Sequence, residues 1–313
     1  MTLPARLVSL PSLVAGLTLA AACGSSTPAT DASPDAAGQT LRLEMPSISL
    51  APSEETTRCV TLSLGNATPK LLRRVHSVIA TGSHHLIAYR VPATTPLDAT
   101  PTPCEPFADV TAGASPVIIA ESADAELVYP DGVALPVDAN QRIKLEEHFI
   151  NPGDAAILSS GTVDFSLAEP DAALVAANLL FWGPQDFAIA PHARGAADLF
   201  HLVEPGVHIF ALTTHEHHFG TLATIEQAPA ATGAATELYR NTDWAHPPLK
   251  AFEPALSFDG SQGLRLHCEW FNTSGAVVPA GLSAVTNEMC FFWAYYYPST
   301  GFQQCSEQGC QKT

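Results

Sequence analysis

From about residue 41 onward, short apolar runs with alternating polar positions are separated by breaks rich in proline and glycine. Residues 57–64 (TRCVTLSL), 85–91 (HLIAYRV) and 144–150 (KLEEHFI) carry the two-residue period of strands that bury one face. The third run follows a turn-rich stretch at Pro130-Asp131-Gly132 and Leu135-Pro136. A second series starts near Leu199 and takes in residues 207–214, 220–225, 263–271 and 289–297. Between the two series, FAIAPHARG at 187–195 reads as a break. No long amphipathic helix stands out, and no repeat of the ~20 to 50 residues typical of solenoids and propellers is visible. The pattern predicts an all-β protein of two tandem antiparallel β-sandwiches, residues 41–195 and 196–313.

The first forty residues are of another kind. Arg6 precedes an apolar run over 7–22, which ends in Ala20-Ala21-Ala22 before Cys23-Gly24. Such a run is short of the roughly 20 residues of a bilayer-spanning helix and reads as a signal segment, residues 1–23. Small residues ending at a cysteine resemble a bacterial lipoprotein signal, which makes Cys23 the expected lipidated first residue of the mature chain. Ordinary signal-peptide cleavage is the alternative. Residues 24–40, mostly Ser, Thr, Pro, Ala and Asp, read as a flexible linker. The expected location is the bacterial cell envelope or the medium, with the membrane reached only through the lipid anchor.

Composition narrows the field. Hydrophobic residues make up 46% and charged residues 14% of the 313, enough for two packed cores. The formal net charge of −17 leaves no basic stripe to neutralise phosphates, which excludes nucleic acid as a partner. Of seven cysteines, setting Cys23 aside leaves six, an even set suited to disulfides in an oxidising compartment. Spacing alone leaves fifteen pairings open, although Cys305 and Cys310 are close enough to pair locally. No Cys-x-x-Cys pair supports a zinc cage.

The chemistry concentrates in three places. In THEHHFGT, His215 and His217 stand at i and i+2, so on a strand both project to one face with Glu216 on the other. In NEMC, Met289 supplies a thioether, a soft ligand that favours Cu(I) over zinc, magnesium or calcium. A Cys268–Cys290 bridge would pin the strand carrying Met289 next to His267-Cys268-Glu269. His84 and His85 are adjacent, so both can face one ion only where the strand ends or twists; Gly82 and Ser83 make such an irregularity plausible. His148 completes a three-nitrogen group, with Glu146 on the same face as an outer partner. Three imidazoles alone would equally suit catalytic zinc. The HExxH zinc-protease pattern does not occur, and His76, His192, His201, His208, His218, His246 and His267 have no ligand spacing.

Taken in order, SHHLIAYR, PDGVALPV…KLEEHFINP, THEHHFGT and NEMCFFWAYYYP resemble the copper type II, ascorbate-dependent monooxygenases, the family of peptidylglycine α-hydroxylating monooxygenase and dopamine β-monooxygenase. The resemblance spans nearly all of 41–298. It implies two jelly-roll-like β-sandwiches facing across a solvent-filled, copper-containing cleft. It implies two coppers per chain: an electron-transfer ion on His84, His85 and His148, and an oxygen-binding ion on His215, His217 and Met289, the latter set being catalytic. Cys59–Cys104 and Cys268–Cys290 correspond to family disulfides. The implied partners are O2, ascorbate or a similar reductant, and a small organic substrate hydroxylated at a C–H bond.

One departure bears on the substrate. The peptide-hydroxylating branch has an arginine where this chain has Thr213, and Phe291 and Trp293 take the place of its carboxylate-binding groups. A non-peptide substrate and an apolar pocket involving Thr213, Phe291 and Trp293 are therefore expected. Two rival functions stand beside this one: a non-catalytic copper-binding or storage lipoprotein on the same scaffold, and a zinc hydrolase built on His84, His85 and His148.

Overall fold

The computed structural model describes residues 38–111 and 114–312, so the expected signal segment with Cys23 lies outside the described residues. Strand Gln39–Leu50 starts inside the expected linker, where Gln39 and Thr40 already pair with Leu167 and Ser166. Among the described residues, every regular element other than the four-residue helix Ala108–Thr111 is a strand, as the alternation predicts. Among the described residues no helix is long and apolar enough to cross a membrane.

Four main sheets result. In the first, Gln39–Leu50, Ile157–Ala168, Lys70–Ile79, Val133–Val137 and Val175–Ala176 lie side by side, and Asp124–Val128 also pairs with Lys70–Ile79. The second runs Asp98–Pro103, Glu55–Ser63, Arg142–Ile150, Ser83–Val91, Ser115–Ala120. The third runs Lys250–Ser257, His208–His215, Phe291–Tyr297, Asn178–Trp182, Gln303–Ser306, Gly309–Lys312. In the fourth, Arg194–Leu202, Gly263–Phe271, Gly220–Ala228 and Thr236–Asn241 are neighbours. Strand Asn178–Trp182, which precedes the break read at 187–195, hydrogen-bonds into the third sheet alongside Phe291–Tyr297. Leu135-Pro136, read as a turn, lies inside a strand. Proline is tolerated there because the neighbouring short strand pairs only with Val133 and Ala134, leaving no partner for the missing N–H.

Alternation along Phe291–Tyr297 divides the cores. Phe292, Ala294 and Tyr296 pack inside the C-terminal pair of sheets, whereas Phe291, Trp293 and Tyr295 join the core of the N-terminal pair. Phe181 mediates this contact, stacked on Phe291 with centroids 4.7 Å apart and parallel to Trp293 within 9°. The Tyr295 hydroxyl accepts a hydrogen bond from the Ile119 N–H at 3.2 Å, tying the second sheet to the third. Three disulfides join Cys59 to Cys104, Cys268 to Cys290 and Cys305 to Cys310, the pairings expected, and they fit an oxidising environment.

If this shared core is what holds the sheets in place, Phe181→Ala should cost about 3–5 kcal/mol by equilibrium denaturant unfolding. A loss below about 1 kcal/mol would mean that the two halves do not depend on this contact.

Candidate metal centre

The adjacent histidines are reconciled by a slip in the ladder. Ser83–Val91 runs antiparallel to Arg142–Ile150 with His85 opposite His148, and the register shifts between Ser83 and His85. His84 falls at that bulge and is released from strict alternation. Gly82, just before it, holds φ +90° while its carbonyl accepts the Ile150 N–H. A side chain there would be strained and its Cβ would meet Ile157 at 2.6 Å. The three rings gather with centroids 5.4 Å (His84–His85), 5.5 Å (His84–His148) and 5.2 Å (His85–His148) apart.

The second group forms where strand His208–His215 ends. His215 is its last residue, and His217 lies just beyond, in a turn closed by the Gly220 N–H donating to the His217 carbonyl. Their ring centroids are 5.0 Å apart. His215 Nδ1–H donates to the Glu121 carboxylate at 2.9 Å, and His217 Nδ1–H donates to the Asn287 carbonyl at 3.1 Å. Each bond turns the ring's Nε2 toward the centre. Glu288 accepts the N–H groups of His217 (2.9 Å), Phe219 (2.7 Å) and Met289 (3.3 Å), so one carboxylate fixes the backbones of both the histidine turn and the methionine. Met289 itself lies just before the strand, which begins at Phe291; its side chain lines a cavity of about 240 Å³ with Phe107, Phe181 and Phe291.

The two histidine groups adjoin one another and are not parted by a solvent-filled cleft. His84 is 5.2 Å from His215 and 5.8 Å from His217, and His85 is 5.8 Å from His215, centroid to centroid. Ring nitrogens of His84, His215 and His217 lie within 4.8 Å of one another, as do those of His84, His85 and His148. All five rings are buried, none more than 5% exposed.

Six ring nitrogens in this cluster have no hydrogen-bond partner: His84 Nε2, His85 Nδ1 and Nε2, His148 Nδ1, His215 Nε2 and His217 Nε2. Buried polar atoms left unpaired are costly, and a metal ion would satisfy them. Burial, and then the proximity of other imidazoles, holds His84, His85 and His217 far below the usual histidine range; the same causes bring His215 to about 3. The rings are therefore neutral at physiological pH, the protonation state a metal ion requires. Neutral, convergent, unpartnered imidazoles are a donor set that fits copper.

Carboxylates surround the rings. Glu121, fully buried between His215 and His85, is pushed well above the carboxylate range by burial. Glu146 was expected to support His148, but its carboxylate lies 3.7 Å from His85 Nε2, held by the Tyr89 hydroxyl and the Phe107 N–H. Burial raises it to about 7. Glu55 takes the position beside His148, 3.0 Å from its Nε2, and also accepts from the Ser283 hydroxyl and the Ala284 N–H. Burial would raise Glu55, but these three hydrogen bonds outweigh it and hold the acid at about 2. Glu55 and Glu121 carry no motif in the sequence. Glu288 sits within NEMC, where its proximity to Met289 was the available signal.

The expected substrate residues divide. Phe291 lines the Met289 cavity, whereas Thr213 and Trp293 line neither of the two main cavities. Thr213 is buried against the Tyr239 hydroxyl at 3.3 Å, and Trp293 is fully buried in the shared core, because inward positions of a central strand are filled by packing. The larger cavity, of about 520 Å³, opens onto His84 instead. His218 points away from the cluster, with Nδ1 at 2.9 Å from the Ala284 carbonyl. His201 lies beside Cys305 and Cys310, whose sulfurs are joined to each other.

Residues 196–313, which carry His215, His217, Met289 and the Cys268–Cys290 bridge, match the family described as "Copper type II ascorbate-dependent monooxygenase, C-terminal domain". No curated protein matches the chain. Among solved structures, "Crystal Structure of the STIV MCP" is similar at 8% identity and TM-score 0.33, covering 83% of this chain and 97% of that one. The major capsid protein P2 from Bacteriophage PM2 is similar at 10% identity and TM-score 0.33, covering 82% and 97%. Likenesses this distant carry no argument. The C-terminal part of the chain, residues 196–313, is thus similar to the C-terminal domain of the copper type II ascorbate-dependent monooxygenases.

Proposed function

We propose that this protein is an exported copper-dependent monooxygenase that hydroxylates a C–H bond of a small, non-peptide organic molecule. One observation carries the reading: five buried imidazoles with six unpartnered ring nitrogens gather in one cluster, in a chain whose C-terminal part matches a copper monooxygenase family. His84, His85 and His148 would hold one copper, and His215, His217 and Met289 the other. Copper, when bound, supplies one-electron redox chemistry, so that two electrons from ascorbate or a similar reductant, with two protons, send one atom of O2 into the C–H bond and the other into water.

The chain's own part is positioning and protection. Glu121 and the Asn287 carbonyl fix the tautomers of His215 and His217, leaving Nε2 as the free donor on each ring. Glu288 accepts from the backbone N–H groups of both Met289 and His217, tying the methionine segment to the histidine turn. Phe107 packs against His85 at 4.6 Å and His215 at 5.3 Å, excluding water from one side of the cluster. The cavity over His84 gives an organic molecule access to the cluster, which favours catalysis over metal storage. Oxygen uptake that depends on both reductant and organic substrate is the discriminating assay; tight copper binding without uptake would favour a storage protein. Export is supported by the disulfides, and lipidation at Cys23 by the sequence preceding it.

In the metal-free protein, ring NMR signals of His84, His85, His215 and His217 should stay at neutral-imidazole positions from about pH 8 to pH 5. Their folded pKa values are held well below the ordinary histidine value, so lowering the pH through that value adds no proton to them. His267 should titrate above its ordinary value, because hydrogen bonds to Glu269 and Asp198 outweigh the effect of its partial burial. Protonation of the four cluster rings near pH 6.5 would contradict their desolvation.

Glu121→Ala should weaken copper binding about 10- to 100-fold in chelator competition, with Glu121→Gln intermediate because its carbonyl still accepts from His215. Unchanged affinity in both variants would remove Glu121 from the centre. Met289→Ala should retain most copper on the His84, His85 and His148 group while losing substrate-dependent oxygen uptake. Full turnover in that variant would exclude Met289 from the reaction.

A further inference from the structure

The cavity of about 520 Å³ over His84 has two walls of different origin. One comes from the bulge at Gly82 and Ser83 together with Ile150 and Pro152; the other from Trp244, Ala284 and Val285. Trp244 sets its shape. The indole stands edge-on to His84 at 5.6 Å, and an ordered turn holds it: the Asn241 side chain donates to the Asp243 carbonyl, and Asp243 accepts from the Ala245 N–H.

Several of its polar groups are already committed to the protein, whereas His84 Nε2 and the Ser83 hydroxyl have no partner there. Asn151 donates to the carbonyls of Leu50, Ala51 and Ala155 and accepts from Gly153. Glu54 accepts from the Ala51 N–H, and both Glu55 oxygens are engaged by His148, Ser283 and Ala284. No lysine or arginine lines the space, and its two acids lie within a chain of net charge −17. An anion entering the metal-free protein here would lose its hydration and meet no lysine or arginine. A ligand would meet the indole face and aliphatic surfaces.

We propose that this cavity, and not the Phe291 and Trp293 region, binds the organic substrate, and that the substrate is an uncharged, predominantly apolar molecule packed on Trp244. The volume lies within the range of cavities that enclose small organic ligands. Assigning the ligand as substrate rests on the monooxygenase reading above; the binding itself does not.

The test uses a matched pair of fluorescent probes on the metal-free full chain: neutral N-phenyl-1-naphthylamine and its anionic relative 8-anilinonaphthalene-1-sulfonate. The neutral probe should bind at one site, and the sulfonate at least roughly tenfold more weakly. Trp244→Ala should weaken the neutral probe by about tenfold, and Trp244→Phe by much less, with circular dichroism unchanged in both. Val285→Lys should narrow the gap between the probes by strengthening the sulfonate. Equal binding of the two probes by the wild type, no binding of the neutral one, or binding indifferent to Trp244→Ala would overturn the assignment. Because no copper is present, these results stand apart from oxygen uptake: uptake with failed probe binding sinks only the cavity assignment, and probe binding without uptake sinks only the monooxygenase reading.

Discussion

Desolvation of five imidazole rings in one small space is the constraint around which this protein is organised. Each ring loses water, and six nitrogens gain nothing from the protein in return. The surrounding groups are arranged to keep the rings in place despite that cost. Glu121 comes from the end of the second sheet yet grips His215 at the end of the third, and Glu55, at the start of a strand in the second sheet, grips Ser283 and Ala284 as well as His148. These two carboxylates therefore link both halves at the centre. The Phe181, Phe291 and Trp293 stack supports the same junction with apolar area.

Much of this was legible in the chain. Period-two alternation gave the strands, and the His-x-His spacing gave a pair of rings that do converge. The irregularity anticipated at Gly82 and Ser83 is a register slip that lets His84 and His85 serve one group. What escaped has a common cause: it depends on contacts between residues far apart in sequence. Glu55 meets residues 283 and 284, and Glu121 meets residue 215; neither acid stands in a motif. Glu146 was assigned to the nearer histidine in sequence, but its carboxylate lies beside His85 on the adjacent strand. Aromatic residues past Met289 looked like a pocket, yet a central strand between two cores buries both faces, and Trp293 is packing. The cavity over His84 is assembled from six separate segments, so no local pattern announces it.

Chemistry and architecture then point the same way. Burial of His84, His85, His215 and His217 disfavours their protonated forms, so these rings are prepared for a metal ion without first shedding protons. As a ligand in the proposed centre, the soft thioether of Met289 would favour copper over zinc, and Glu288 binds the backbone N–H groups of both His217 and Met289. Acidic surroundings and the apolar walls of the cavity over His84 are the features on which the proposal of an uncharged organic ligand rests.

The central claim is that this cluster is a copper centre and not a zinc site or an empty polar core. It is tested most directly by offering the metal-free protein equal amounts of copper and zinc under reducing, anaerobic conditions, washing with a chelator, and measuring retained metal by mass spectrometry. The account predicts two copper ions per chain and essentially no zinc. Retained zinc, or less than one copper per chain, would contradict it.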